Sequence, residues 1–141
     1  IMGKVQILAV LTMDGCLSSE LYDKAHQDLC LDRCGLDEIR KKAFYRVTPD
    51  YSISMLHEWR KDCTNIRYLA EATPDTADYI NGLLRMHAVD EIILYTVPFI
   101  SGSGRHFFKS ALPEQHWTLS SLKSYPNGVC RIIYILDKKA R

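Results

Sequence analysis

The chain holds 141 residues, 47% of them hydrophobic and 25% charged, the arithmetic of one globular domain spanning 1–141, since domains most often hold about 100–150 residues. Its 18 basic and 17 acidic residues leave a formal net charge of +1, without the basic surplus by which proteins engage nucleic acid or an anionic membrane. The five cysteines, Cys16, Cys30, Cys34, Cys63 and Cys130, are odd in number and form no Cys-x-x-Cys pair, which reads as reduced thiols rather than a disulfide framework.

In chain order, Lys4 to Leu11 is a nearly continuous apolar run closed by Thr12-Met13-Asp14-Gly15, the pattern of a central strand ending in a turn. After Ser18 or Ser19 as N-cap, Leu21, Ala25 and Leu29 recur at helical spacing and Gly35 closes the segment, so a helix ending at that glycine is expected. The basic run Arg40-Lys41-Lys42 reads as a solvated face. Ala43 to Val47 is a second strand, stopped by Thr48-Pro49-Asp50. Ser52 or Ser54 caps a helix with Leu56 and Trp59 on one face and Cys63 a turn further on. Asn65 to Ala70 is a third strand. Thr73-Pro74-Asp75 then supplies a capping hydroxyl, a proline at the first helical position and an acid in the first turn. The helix it opens carries Ala77, Ile80, Leu84 and His87 on one stripe. Glu91 to Ile100 is a fourth strand, followed by the loop Ser101-Gly102-Ser103-Gly104. His116 to Tyr125 and Val129 to Leu136 form a hairpin around Pro126-Asn127-Gly128.

Strands alternating with helices predict an α/β fold, a mostly parallel sheet with helices on both faces and a C-terminal antiparallel hairpin at its edge. There is no charged leader before an apolar stretch and no run near the about 18 apolar residues of a membrane helix, so a cytoplasmic protein is expected.

In such sheets ligands sit beyond the carboxyl ends of the strands, which directs attention to 12–18, 48–52, 71–75 and 98–105. Asp14-Gly15 either sets a carboxylate over a ligand or closes a turn. Glu71, at a strand end before a helix, suits backbone amides and a substrate equally. Gly102-Ser103-Gly104-Arg105 is either an anion cradle or a plain loop. The histidines at 26, 57, 87, 106 and 116 have no metal-ligand spacing, and no metal is expected.

Taken in order, these segments resemble the dihydrofolate reductase-like fold, a three-layer sandwich, and within it the reductase domain of the bacterial deaminase-reductase of riboflavin biosynthesis. The likeness is carried by Ile7-Leu8-Ala9-Val10-Leu11-Thr12-Met13-Asp14-Gly15 and by the block from Val89-Asp90-Glu91 through Pro98 to Gly102-Ser103-Gly104-Arg105. The resemblance implies an NADPH-dependent reductase, often a homodimer, acting on a small pterin-like or ribosylaminopyrimidine substrate. It would place Ala9 and Val10 at the junction of nicotinamide and substrate, Asp14 and Gly15 in the loop closing over the ligands, and Glu71 as a substrate-facing acid. Thr73, Gly102, Ser103 and Gly104 would lie on the cofactor. The chain departs from the family pattern at Thr73, which replaces a glycine where the backbone nears the pyrophosphate. It departs again between Ser18 and Ala43, where the family's further strands and phosphate-binding turn have no counterpart. A second expectation therefore stands beside the first: a non-catalytic member of the fold serving as a small-molecule-binding or dimerisation module.

Overall fold

A computed structural model describes residues 3–17, 34–62, 66–100, 102, 105–109 and 111–137. Its main sheet is built on β1 (Lys4–Leu11), whose alternating side chains feed two cores. Val5, Ile7, Ala9 and Leu11 point to one face, while Leu8 and Val10 point to the other. A strand buried on both faces must be apolar at nearly every position, which is why this run was conspicuous in the sequence.

Around β1 lie β3 (Tyr45–Arg46), β4 (Arg67–Glu71), β5 (Glu91–Thr96), β7 (Trp117–Ser124) and β8 (Cys130–Leu136). Their order is β3-β4-β1-β5-β8-β7. The first four strands are parallel, β8 runs antiparallel to β5, and β7 forms the edge. A separate small ribbon joins β2 (Cys16–Leu17) to β6 (Arg105–His106). On one face, α2 (Ile53–Asp62) and α3 (Ala77–Arg85) bury Leu56, Ala77, Ile80 and Leu83. On the other, α1 (Leu36–Lys42) buries Leu36 against Leu8, Leu69, Ile93 and Tyr95. The result is the expected three-layer arrangement, with an antiparallel hairpin at the sheet edge.

Local chemistry explains most boundaries. Ser52 accepts a hydrogen bond from the Met55 amide at 3.1 Å and so caps α2. The hairpin turns where Gly128 takes φ +91, and a Cβ there would come within 3.1 Å of the Pro98 ring. Conformation and space both call for glycine at this position.

Three expectations need correction. Gly35 opens a helix here: with φ +84 it is the N-cap of α1, which carries the basic run with Lys41 and Lys42 exposed as expected and Arg40 bonded to Glu71. The third helix begins at Ala77 rather than at Pro74, because Thr73 to Thr76 form a closed turn of their own. His87 lies past the end of α3, exposed and with φ +54, so it is off the buried stripe. The helix expected from Ser18 to the glycine falls mostly outside the described residues, as does Cys63.

The end of the sheet where the parallel strands begin is fastened by Asp90. Its carboxylate accepts from the Val5 amide at 3.0 Å and from Arg60 of α2 at 3.3 Å, with the two side chains 6% and 10% exposed. Its backbone N–H donates to Val5 and its carbonyl accepts from Leu136. One residue thus ties β1, β5, β8 and α2 together. The Glu91 carboxylate beside it accepts from the Gln6 side-chain Nε2 at 3.2 Å.

Candidate functional site

The loops leaving β1 and β5 lie side by side at the opposite end of the sheet, because those strands pair in parallel from Gln6 and Glu91 to Leu11 and Thr96. Asp14 joins them. One carboxylate oxygen accepts from the Thr12 hydroxyl and the other from the Gly102 amide, at 3.0 Å. The Met13 amide adds a bond to the Phe99 carbonyl at 2.7 Å. Gly15 takes φ +78, donates to Thr12 O and accepts from Phe107 N, which draws the segment after the glycine loop onto the same turn.

This folding sets Cys16 opposite His106 in the β2–β6 ribbon, with Sγ 3.9 Å from Nδ1. The thiol is free and buried, and the imidazole is exposed. The sequence offered no signal for this pair, since ninety positions separate its members and two-residue strands leave no periodicity. Behind it, the buried Asn81 of α3 donates to the Ala77 and Phe107 carbonyls at 2.7 Å each and accepts from the Lys109 amide at 3.0 Å. Those bonds anchor the 107–109 segment to the core.

The structure brings Asp14, Gly15 and Gly102 together and sets the other expected site residues apart. Ala9 is fully buried in the core beneath α2 and α3, and Val10 is 7% exposed in the core beneath α1. Glu71 ends β4 on the α1 side, where Nε and Nη2 of Arg40 converge on its Oε1 at 2.8 Å and Nη1 of Arg46 meets Oε2 at 2.7 Å. Both of its oxygens are engaged in tying α1 and β3 to β4. Thr73 and Thr76 satisfy each other: the Thr73 amide donates to Thr76 Oγ1 at 2.9 Å and the Thr76 amide to Thr73 Oγ1 at 3.2 Å. The Thr76 hydroxyl also donates to the Glu71 carbonyl. Ser103 and Gly104 lie outside the described residues.

The whole architecture matches solved structures. A riboflavin biosynthesis protein from Shewanella sp. PV-4 superposes with a TM-score of 0.63 at 11% identity, over 96% of this chain and 99% of that one. The chain has the dihydrofolate reductase-like fold seen in that protein. Acinetobacter baumannii RibD matches the same fold with a TM-score of 0.59 at 11% identity, over 97% of this chain. The match spans 59% of the RibD chain. No protein-family model and no curated sequence matches the chain. Among the described residues, no helix is long and apolar enough to cross a membrane.

Proposed function

We propose that this chain uses the reductase fold as a small-molecule-binding module and does not run NADPH-dependent hydride transfer. The carrying observation is how the polar groups at the strand ends are spent. A dinucleotide's phosphates are held mainly by free backbone amides at helix starts and glycine loops. Here the Thr73 and Thr76 amides bond each other's side chains, position 74 is proline, and the Gly102 amide is taken by Asp14. A phosphate approaching the Gly102 amide would meet the Asp14 carboxylate bonded to it. These bonds take up backbone amides at Thr73, Thr76 and Gly102 that NADPH phosphates would otherwise use, which supports the module reading.

The likeness to RibD favours a second reading, in which the chain is a cytoplasmic reductase of a pterin-like or ribosylaminopyrimidine substrate with Asp14 and Glu71 at the substrate. Titration of the purified chain with NADPH, followed by nicotinamide fluorescence and calorimetry, separates the two. The module reading expects no saturable signal up to millimolar cofactor. Saturable binding at micromolar NADPH would overturn it and restore the reductase.

Self-association belongs to the same proposal. Edge strand β7 exposes Leu119 by 52% and Leu122 by 64%, and an open edge bearing large apolar side chains is a surface proteins ordinarily cover. A second copy of the chain, meeting it edge to edge, is the partner we assign.

A further inference from the structure

A cleft of about 200 Å³ opens under α1, on the sheet face away from α2 and α3. Its polar floor comes from Gln6, Arg67 and Glu91 on β1, β4 and β5, towards the strand starts and away from the Asp14 loops. Apolar surface comes from Ile39, Ile93 and Ile133. Arg131 of β8 stands opposite Tyr95 and lines the cleft.

The guanidinium of Arg131 is held but not neutralised. It lies beside the Tyr95 hydroxyl, whose own proton goes to the Cys34 carbonyl at 2.8 Å. Its Nε is buried with no hydrogen-bond partner. Gly35 passes so close that a Cβ would lie 2.9 Å from Nη1, so the glycine leaves the guanidinium its room. Among the described residues, no carboxylate pairs with Arg131, Arg67 or Lys42, all of which line the cleft. Two carboxylates, Glu38 and Glu91, line it as well, and Glu91 already accepts from Gln6. Three cations against two anions leave an excess of positive charge beside apolar walls, and an arginine with unspent donors recognises a planar oxyanion best.

We infer that this cleft binds a small carboxylate with an apolar body, its oxyanion on Arg131 and its carbon frame against Ile39, Ile93 and Ile133. The site is separate from the strand-end loops and does not rest on the function proposed for them.

Benzoate is the probe, titrated into the full-length chain while the arginine Nε–Hε and backbone amide signals are followed by NMR. The expected result is a saturable shift of the Arg131 side-chain signal, with benzamide at least tenfold weaker and inorganic phosphate weaker than benzoate. Arg131→Gln should weaken benzoate at least tenfold, while Lys123→Gln on β7 leaves it unchanged. Should Arg131→Gln not fold, Arg67→Gln and Lys42→Gln should each weaken binding about threefold. Equal affinity for benzamide, tighter binding of phosphate, full binding by these variants or non-saturating shifts would overturn the assignment.

Discussion

Replacing Glu71 by glutamine tests whether this acid is a fastening or a substrate contact. Three guanidinium nitrogens lie 2.7–2.8 Å from its two oxygens. An exposed ion pair contributes about 0–1 kcal/mol, while breaking a buried one costs about 3–5 kcal/mol. The Arg40 and Glu71 side chains, 22% and 23% exposed, fall between these limits, and about 1–1.5 kcal/mol is reasonable for their contact. Arg46 is 55% exposed, so solvent screens its share to a few tenths of a kcal/mol. Glu71→Gln should therefore lower stability by about 1.5–2 kcal/mol, with a Tm some 5–8 °C lower for a chain of this size. Urea unfolding at pH 7 measures it, and the loss should shrink in about 1 M salt because exposed charges are screened there. A double-mutant cycle with Arg40→Gln should return a coupling of about 1 kcal/mol. An unchanged unfolding midpoint, or additive effects of the two substitutions, would refute the fastening. Unchanged stability with a large loss of ligand affinity would instead return Glu71 to the substrate-facing role its place at a strand end suggested.

Asp90→Ala removes one partner of a buried ion pair and strands the Arg60 guanidinium, so urea unfolding should show a loss of about 3–5 kcal/mol; a loss under 1 kcal/mol would contradict the role given to this residue. Burial pushes the Tyr95 phenol from its ordinary value near 10 up to about 12, with Arg131 opposing the shift. The unfolded phenol ionises first, so the contribution of Tyr95 to stability is complete below about pH 10 and falls as pH rises towards 12, by up to about 1.4 kcal/mol per unit. Urea midpoints at pH 8, 10 and 11 should diverge from those of Tyr95→Phe only above pH 10. If two copies pair through β7 as proposed, sedimentation should show a dimer that Leu122→Lys on the exposed edge strand converts to monomer without lowering the unfolding midpoint; a sedimentation profile unchanged by the substitution would dispose of edge-to-edge pairing.

What the sequence disclosed, and what it hid, follows the range of the interactions concerned. β1, β5, the Ser52 cap and the Asn127-Gly128 hairpin are local: the apolar run, the hydroxyl and the glycine act on their own neighbours. Helix α1 escaped notice because seven residues with Leu36 and Ile39 as their apolar stripe give a weak period. Within its charge run Lys41 and Lys42 are solvated as read, and Arg40 escaped notice because the carboxylate that engages it lies thirty-one positions away. Gly35 misled for a related reason, since a left-handed glycine serves either end of a helix and its φ does not say which. The Cys16–His106 apposition and the Asp14–Gly102 bond exist only after β1 and β5 have paired, so no window of sequence contains them.

The resemblance that pointed to the fold was carried by Val89-Asp90-Glu91, the apolar strand after it, Pro98, the glycine loop and Asp14-Gly15. In the structure Val89 is buried, Asp90 joins four elements, Glu91 is bonded across to β1, and Pro98 seats the hairpin glycine. Asp14 closes the circuit by holding Gly102. Each of these residues has a task in assembling the sheet, and each would be retained by a chain that needed the architecture for any purpose. Binding a dinucleotide makes a different demand, for amides left unspent and side chains kept away from phosphate. At Thr73, Thr76 and Gly102 this chain has spent those amides on itself. Motif likeness and cofactor use are separate physical questions: the first is written in the bonds that build the fold, the second in bonds the fold leaves unmade, and the NADPH titration proposed above decides the second.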